Sequence, residues 1–327
     1  MEKTRICIVG AGGWGEQHAR ACAARSDVVI AGIFSRTLAR AQARTLTYGG
    51  QAYDDLDAMI DRERPDLVMV SLPNRDHFAP TLHLIERGCN LVVEKPLVFD
   101  PVEADRLVAA AAKRTLFAAI NFNHRYAKPI VLAREAIRAG RIGTPVFATW
   151  RFGGEGGVCD RHDNLIETQC HGFDQLEDLC GPIRSLMAQM RVDVVKGPST
   201  LALALDFAND AVGALVGSYD ASYGHPGTHR LEICGDAGRI VVEDTVKRFT
   251  LHRHGSDLGE TWEAGYFDDR NRDFHHTMDR HLEAILAAFR AGRAPPIPIT
   301  AGQRAVHLAH AAIRSWTDGV RVSVPAP

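Results

Sequence analysis

The run Gly10-Ala11-Gly12-Gly13-Trp14-Gly15 follows directly on a short apolar segment, Thr4–Gly10, and opens a stretch with helical spacing. Glycines at this spacing permit a tight turn, a close approach of backbone to a pyrophosphate, and close packing of helix on strand. A helix N-terminus placed there holds phosphate through its free N–H groups. Gly10, Gly12, Gly13, Trp14 and Gly15 are therefore expected to bind a dinucleotide. NAD sites carry a carboxylate about 20 residues further on for the ribose 2′-hydroxyl. Here the second apolar run ends Ile33-Phe34-Ser35-Arg36-Thr37, without one. Ser35, Arg36 and Thr37 suit a 2′-phosphate instead, Arg36 through a charge-assisted contact. NADP is expected to be preferred, with NAD usable; an Arg36 that is only solvated at a helix start would leave both equally usable.

Two more segments carry chemistry. Ser71-Leu72-Pro73-Asn74-Arg75-Asp76-His77 and Glu94-Lys95-Pro96 follow the third and fourth apolar runs. Both belong at the carboxyl ends of parallel strands, where open α/β sheets bind ligands. Pro73, Asn74, His77, Glu94 and Lys95 are expected beside the cofactor. A lysine desolvated next to a nicotinamide can hydrogen-bond a substrate hydroxyl. Read singly, Lys95 is equally a surface lysine before a proline, and His77 a histidine at a helix start. Further on stand Glu167, His171 and Asp174. The reference pKa of histidine, near 6.5, suits a general base at neutral pH. The competing reading of His171 is a helix histidine bonded to Asp174 or packed in a core.

These groups need elements to position them. In the first 123 residues, short apolar runs (Thr4–Gly10, Val28–Phe34, Leu67–Leu72, Leu91–Val93, Leu116–Ile120) alternate with helical segments. Such runs fit buried strands, and the alternation implies a parallel sheet covered on both faces. Asp100, Pro101 and Glu103 mark the start of a helix toward Lys113. Ala127–Ala139 reads as a helix ended by Gly140. After it come strand-like stretches at 145–152, 183–192, 201–207, 212–219, 231–234 and 240–242, several joined by turn residues. Glu167–Leu179 reads as an embedded helix, putting Glu167 and His171 on one face. Arg272–Ala291 and Thr300–Thr317 read as helices, the second with capping-box spacing at Thr300 and Gln303. Gly153–Asn164 reads as a glycine-rich loop. The fold class is α/β: an N-terminal dinucleotide domain, 1–123, and a C-terminal α+β domain with an open antiparallel sheet, 124–327.

The 327 residues carry a formal net charge of −2, which offers no broad basic field to nucleic acid or to an anionic membrane. No run of about 18 apolar residues appears, and the start of the chain lacks the pattern of a signal peptide. The seven cysteines include no C-x-x-C pair, so reduced thiols in a cytoplasmic protein are expected. Fifteen histidines include no metal-ligand spacing, and solvated or structural roles are expected for most of them, with no metal. Arg151, between Trp150 and Phe152, reads as facing either substrate or solvent.

Taken together, Gly10–Gly15, Pro73-Asn74 with His77, Glu94-Lys95-Pro96, Asn123-His124-Arg125-Tyr126 with Pro129, and Glu167…His171…Asp174 resemble the Gfo/Idh/MocA oxidoreductase family across both domains. The resemblance implies a Rossmann domain, a second domain with an open-faced sheet, and substrates among sugars, cyclitols and polyols. The family pattern Asp-x-Gly-x-His-x-x-Asp departs here in two places, Glu167 for the aspartate and Gln169 for the glycine. The resemblance casts Lys95 and His171 as the catalytic pair, with Glu167, Asp174, Arg125 and Tyr126 as substrate or supporting groups. It also implies a homodimer or homotetramer, since the family covers the open sheet with another subunit. A dihydrodiol, semialdehyde or keto acid is the alternative substrate class; a non-catalytic NADP-sensing regulator is the alternative of another kind.

Overall fold

The computed structural model describes residues 3–154, 162–193, 197–220 and 225–327. Most of the expected loop at 153–164, with Cys159, lies outside the described residues. The chain divides into two compact units, Met1–Phe122 with Met278–Gln303, and Asn123–Thr277 with Arg304–Pro327. Residues 278–303 thus belong with the first unit, where a single division after residue 123 places them in the second.

The first unit is a six-stranded parallel sheet. Its strands are β1 (Thr4–Val9), β2 (Val28–Phe34), β3 (Gln51–Tyr53), β4 (Leu67–Val70), β5 (Leu91–Val93) and β6 (Ala118–Ile120), in spatial order β3-β2-β1-β4-β5-β6. The order reverses between β1 and β4, the switch point at which such sheets bind nucleotides. Helices α1 (Gly13–Ala23), α2 (Leu38–Tyr48), α3 (Leu56–Glu63), α4 (Phe78–Glu86) and α5 (Pro101–Lys113) connect the strands. The central strands are apolar over residues 6–9, 67–70 and 91–93 because both faces are covered there, and Ile6, Ile8, Leu67 and Leu91 are fully buried. β3 was not legible as a strand because it is a three-residue edge with partly exposed residues. The Asp100 carboxylate caps α5, accepting from the Val102 and Glu103 N–H groups at 2.7 and 3.3 Å.

The second unit opens with helix α6 (Lys128–Arg138) and strand β7 (Pro145–Gly153). A π-helical turn (Asn164–Thr168) then leads into helix α7 (Cys170–Cys180). Seven strands follow: β8 (Ile183–Asp193), β9 (Gly197–Phe207), β10 (Val212–Ser218), β11 (His229–Gly235), β12 (Gly238–Glu243), β13 (Arg248–Arg253) and β14 (Gly259–Glu263). With the short C-terminal β15 (Val322–Ser323) they form one sheet in the order β14-β13-β12-β11-β7-β10-β9-β8-β15. All neighbours are antiparallel except β7 and β10, which run parallel, so the expected antiparallel sheet is mixed. Strands β13 to β15 were not read from the sequence. One face packs on α7, where a Cβ on Gly172 would stand 2.6 Å from Trp150 Nε1. The other face leaves Phe147, Met187, Val212 and Val216 exposed.

Two further helices close the chain after a short turn of helix, α8 (Asp269–Arg272): α9 (His276–Arg290) and α10 (Ile299–Asp318). α9 belongs with the first sheet because of what it buries and pairs. Leu282, Ile285 and Leu286 join the core around Ile6, Ile8 and Leu67. Asp279 pairs with Arg20 at 2.8 Å, and Arg290 reaches the Thr4 hydroxyl. The expected capping box at the start of α10 is replaced by another contact, since Gln303 donates to Asp105 on α5 at 2.7 Å.

Candidate active site

The glycine run forms a crest between β1 and α1. Gly10 has φ +122°, and a Cβ there would lie 1.9 Å from the Ser71 carbonyl oxygen; one on Gly15 would lie 2.0 Å from that of Gly10. Those two glycines are demanded by the fold itself. Gly12 and Gly13 are different, because nothing lies within 4 Å of a Cβ on either. Gly12 is the N-cap of the eleven-residue α1, and no side chain caps it. The exposed helix N-terminus, with its open space and dipole, fits a pyrophosphate. Trp14 is exposed beside it.

At the end of β2 the Ser35 hydroxyl accepts from the Thr37 N–H at 3.3 Å. Arg36 extends to Asp76, after β4, with Nη2 to Oδ2 at 3.0 Å; the side chains are 70% and 46% exposed. Asp76 thus brings a carboxylate beside Arg36 from a different loop, where the spacing after β2 gives no sign of it.

The structure gives two of the expected cofactor residues a supporting part. His77 is fully buried, with its ring nitrogens 2.9 Å from the carbonyl oxygens of Leu72 and Pro96. It ties the loop after β4 to the loop carrying Lys95. Glu94 is also buried, 4% exposed. Its Oε1 accepts from Asn121 at 2.6 Å and lies 2.8 Å from His18 Nε2; its Oε2 accepts the Lys95 backbone N–H at 3.2 Å. Asn121 Oδ1 lies 2.7 Å from Nδ1 of the buried His281. Burial works against the Glu94 charge, yet His18 and the Lys95 charge hold its carboxyl below the usual range. The polar chain from His18 to His281 thus sets the base of the Lys95 loop. Lys95 is half-buried, Pro73 exposed and Asn74 half-buried.

Arg125, Tyr126, Glu167, His171 and Asp174 belong to the second unit. Arg125 grips Asp174 with two hydrogen bonds, 2.8 and 2.7 Å, and reaches Asp178 at 2.8 Å. Two groups expected at the substrate are therefore paired with each other. Burial pushes the Asp174 carboxyl up to about 6 against the pull of Arg125. Burial opposes the Arg125 charge as well, but Asp174 and Asp178 hold it above its usual value. Tyr126, half-buried, is pushed up to about 12 by burial.

The helix around His171 is not one regular helix. Gln169 N–H donates to Asn164 O at 3.0 Å, closing the wide turn that holds Glu167, and α7 begins only at Cys170. The regular i, i+4 relation expected of Glu167 and His171 does not apply across that junction. Gln169 explains the break. It is fully buried; its Oε1 accepts from Trp150 Nε1 at 3.0 Å, and its Nε2 donates to Phe152 O and Asn164 Oδ1. A side chain at the family's glycine position thus fastens the turn to β7.

His171 is 5% exposed and stacks on His124, ring centroids 3.7 Å apart and planes 10° apart. Phe152, His229 and Phe274 surround His124. The Nδ1 of His229 accepts the Thr245 N–H at 2.8 Å, which leaves the ring proton on Nε2. Burial drives His229 down to about 3 and keeps it neutral. His124 and His229 were missed as members of the site. His229 had a legible signal, since it stands in phase with the inward residues Leu231 and Ile233. Arg151 points the other way from Trp150, donating to Gly227 O at 2.6 Å. Among the described residues no group of three or more His, Cys, Asp or Glu is arranged to hold a metal, and no helix is long and apolar enough to cross a membrane.

The chain is similar to D-glucoside 3-dehydrogenase of Escherichia coli, 34% identical over 149 residues, which are 45% of this chain and 42% of that protein. It is similar over nearly its whole length to myo-inositol 2-dehydrogenase of Thermotoga maritima, 24% identical over 335 residues and 96% of each. The fold matches a levoglucosan dehydrogenase in complex with NADH and L-sorbose, with TM-score 0.90, 18% identity and full coverage of both chains. Residues 4–122 match the model described as an oxidoreductase family with NAD-binding Rossmann fold, and residues 130–241 match the GFO/IDH/MocA C-terminal domain. The chain belongs to the Gfo/Idh/MocA oxidoreductase family.

Proposed function

We propose that the protein is an NAD(P)-dependent dehydrogenase of sugars, cyclitols or related polyols that prefers NADP. The observation that carries this reading is the uncapped N-terminus of α1, with open space at Gly12 and Gly13. The names of the relatives, a glucoside 3-dehydrogenase and an inositol 2-dehydrogenase, support the substrate class. The bound nicotinamide would supply the hydride acceptor. His171 takes the proton of the substrate hydroxyl as general base. Lys95 hydrogen-bonds the same oxygen and stabilises its developing negative charge. Glu167 orients the substrate; Arg125 and Tyr126, from the turn at 123–126, and Asp174 on α7 support the base. The reduction of a ketone or lactone uses the same groups in reverse.

The test is a panel of sugars, inositols and sugar acids, followed at the reduced-nicotinamide band with both cofactors. Lys95→Ala and His171→Ala should each lower kcat by about 10² to 10⁴ while leaving NADPH binding nearly unchanged. In free energy the double variant should lose less than the sum of the two single losses, because both groups serve one proton transfer. A protein that binds NADPH but turns over no polyol would point to the regulator instead. Wild-type kcat in His171→Ala would refute the assignment of the base. The protein is further proposed to be a cytoplasmic homodimer or homotetramer joined through the exposed face bearing Phe147, Met187, Val212 and Val216. Light scattering after size exclusion at micromolar concentration should give a mass above one chain of 35.8 kDa; a monomer alone would refute it.

A further inference from the structure

We propose that His124 is a positioning residue for the base: its ring, stacked flat on His171, fixes the plane in which His171 presents its proton-accepting nitrogen. The inference rests on the reading of His171 as that base. An imidazole accepts a proton only along its in-plane lone pair, and its torsion about Cβ–Cγ is broad. A base free to turn about that bond loses alignment with the hydroxyl. The centroid separation of 3.7 Å and the interplanar angle of 10° leave no room for such a turn. Twisting His171 would drive a ring edge into His124. His124 cannot retreat, because Phe274 meets it edge-on at 5.1 Å and 83°, and Phe152 at 6.2 Å and 86°. Its backbone is fastened as well. It lies in the short turn Asn123–Tyr126, where Asn123 donates to the buried Thr277 hydroxyl at 2.8 Å. Both rings are about 95% buried. The stack thus supplies preorganisation by shape, through a flat ring held by its own neighbours.

The experiment replaces His124 by Phe, Leu and Gln, and measures kcat, KM and thermal midpoint with NADP and whichever of myo-inositol or a methyl D-glucoside is turned over faster. His124→Phe keeps the flat ring, and kcat should stay within about threefold of wild type. His124→Leu and His124→Gln remove the ring, and kcat should fall about 10- to 100-fold, the scale of a misaligned catalytic group. KM for the polyol and Kd for NADPH should stay within about twofold. In a His171→Ala background, His124→Leu should lower the residual rate no further. Wild-type kcat in His124→Leu would overturn the proposal. So would a His124→Phe variant as damaged as the Leu variant, since the nitrogens would then matter rather than the plane. His171→Ala at wild-type kcat would overturn the underlying reading too, and it is told apart because only there does removal of the base itself do nothing.

Discussion

Arg36 decides between the two cofactors only if its attraction for a 2′-phosphate exceeds its attachment to Asp76. The structure allows the two to be compared. The pair is exposed on both sides, with the arginine side chain 70% and the aspartate 46% accessible, and a single contact of 3.0 Å. Exposed pairs of this kind contribute about 0.2–1 kcal/mol. A hydrogen bond between charged groups is worth about 1.5–3 kcal/mol. Exposure argues for the low end of each range, leaving the phosphate ahead by about 1.3 kcal/mol. Arg36→Ala should therefore raise Kd for NADPH about tenfold and change Kd for NADH less than twofold. Asp76→Asn releases Arg36 and should tighten NADPH by less than about twofold. Both effects should shrink at high salt, since the groups are solvated. The assay is titration of NADPH and NADH by protein fluorescence at two ionic strengths. Equal losses for both cofactors in Arg36→Ala would show that Arg36 does not read the phosphate. Weaker NADH binding in Asp76→Asn, with NADPH unmoved, would make Asp76 the acceptor for a ribose hydroxyl and reverse the preference.

Gly12→Ala should fold with an unchanged thermal midpoint, because its Cβ meets nothing within 4 Å, yet raise Kd for both cofactors by filling space meant for the pyrophosphate; unchanged binding would remove the crest from the cofactor site. His229 predicts a pH dependence of stability. An unfolded histidine titrates near 6.5, whereas burial holds the folded one at about 3. Above 6.5 the residue is neutral in both states; as pH falls, only the unfolded chain takes the proton, so stability is lost. The loss from this residue should reach about 1.4 kcal/mol by pH 5.5. Urea midpoints at pH 7.5 and 5.5 should drop less in His229→Gln than in wild type, and equal drops would refute the assigned burial.

The first sheet was legible because its rules are local. Buried parallel strands read as apolar runs such as 6–9 and 67–70, and Gly10 and Gly15 carry their own geometry in the absence of Cβ atoms. The Asp100 cap likewise lies within four residues of what it satisfies. The missing pieces are those fixed by distant partners. β13 begins and ends on arginine and is buried only at Phe249 and Leu251, β14 has no buried residue, and Arg248 answers Glu263 and Glu243 across strands. Asp76 is near Arg36 only because β4 lies two strands from β2. The return of α9 to the first unit depends on Asp279 meeting Arg20, a pairing 259 residues apart in sequence.

Some motif residues serve only to hold the loop that presents another. Glu94 and His77 stand inside the two strongest sequence signals after the glycines, yet both are buried and fully engaged with the protein. A buried carboxylate is tolerated only when its lone pairs are satisfied. Glu94 meets that demand through His18, Asn121 and the N–H of Lys95, the last of which fixes the lysine's backbone. Spacing alone cannot tell Glu94 from Lys95, because adjacent residues on one loop point in opposite directions. What distinguishes them is the interior partner set, and His18, which supplies part of it, stands three residues past Gly15 within α1. The short motif therefore encodes a lysine together with the anchor that keeps it in place.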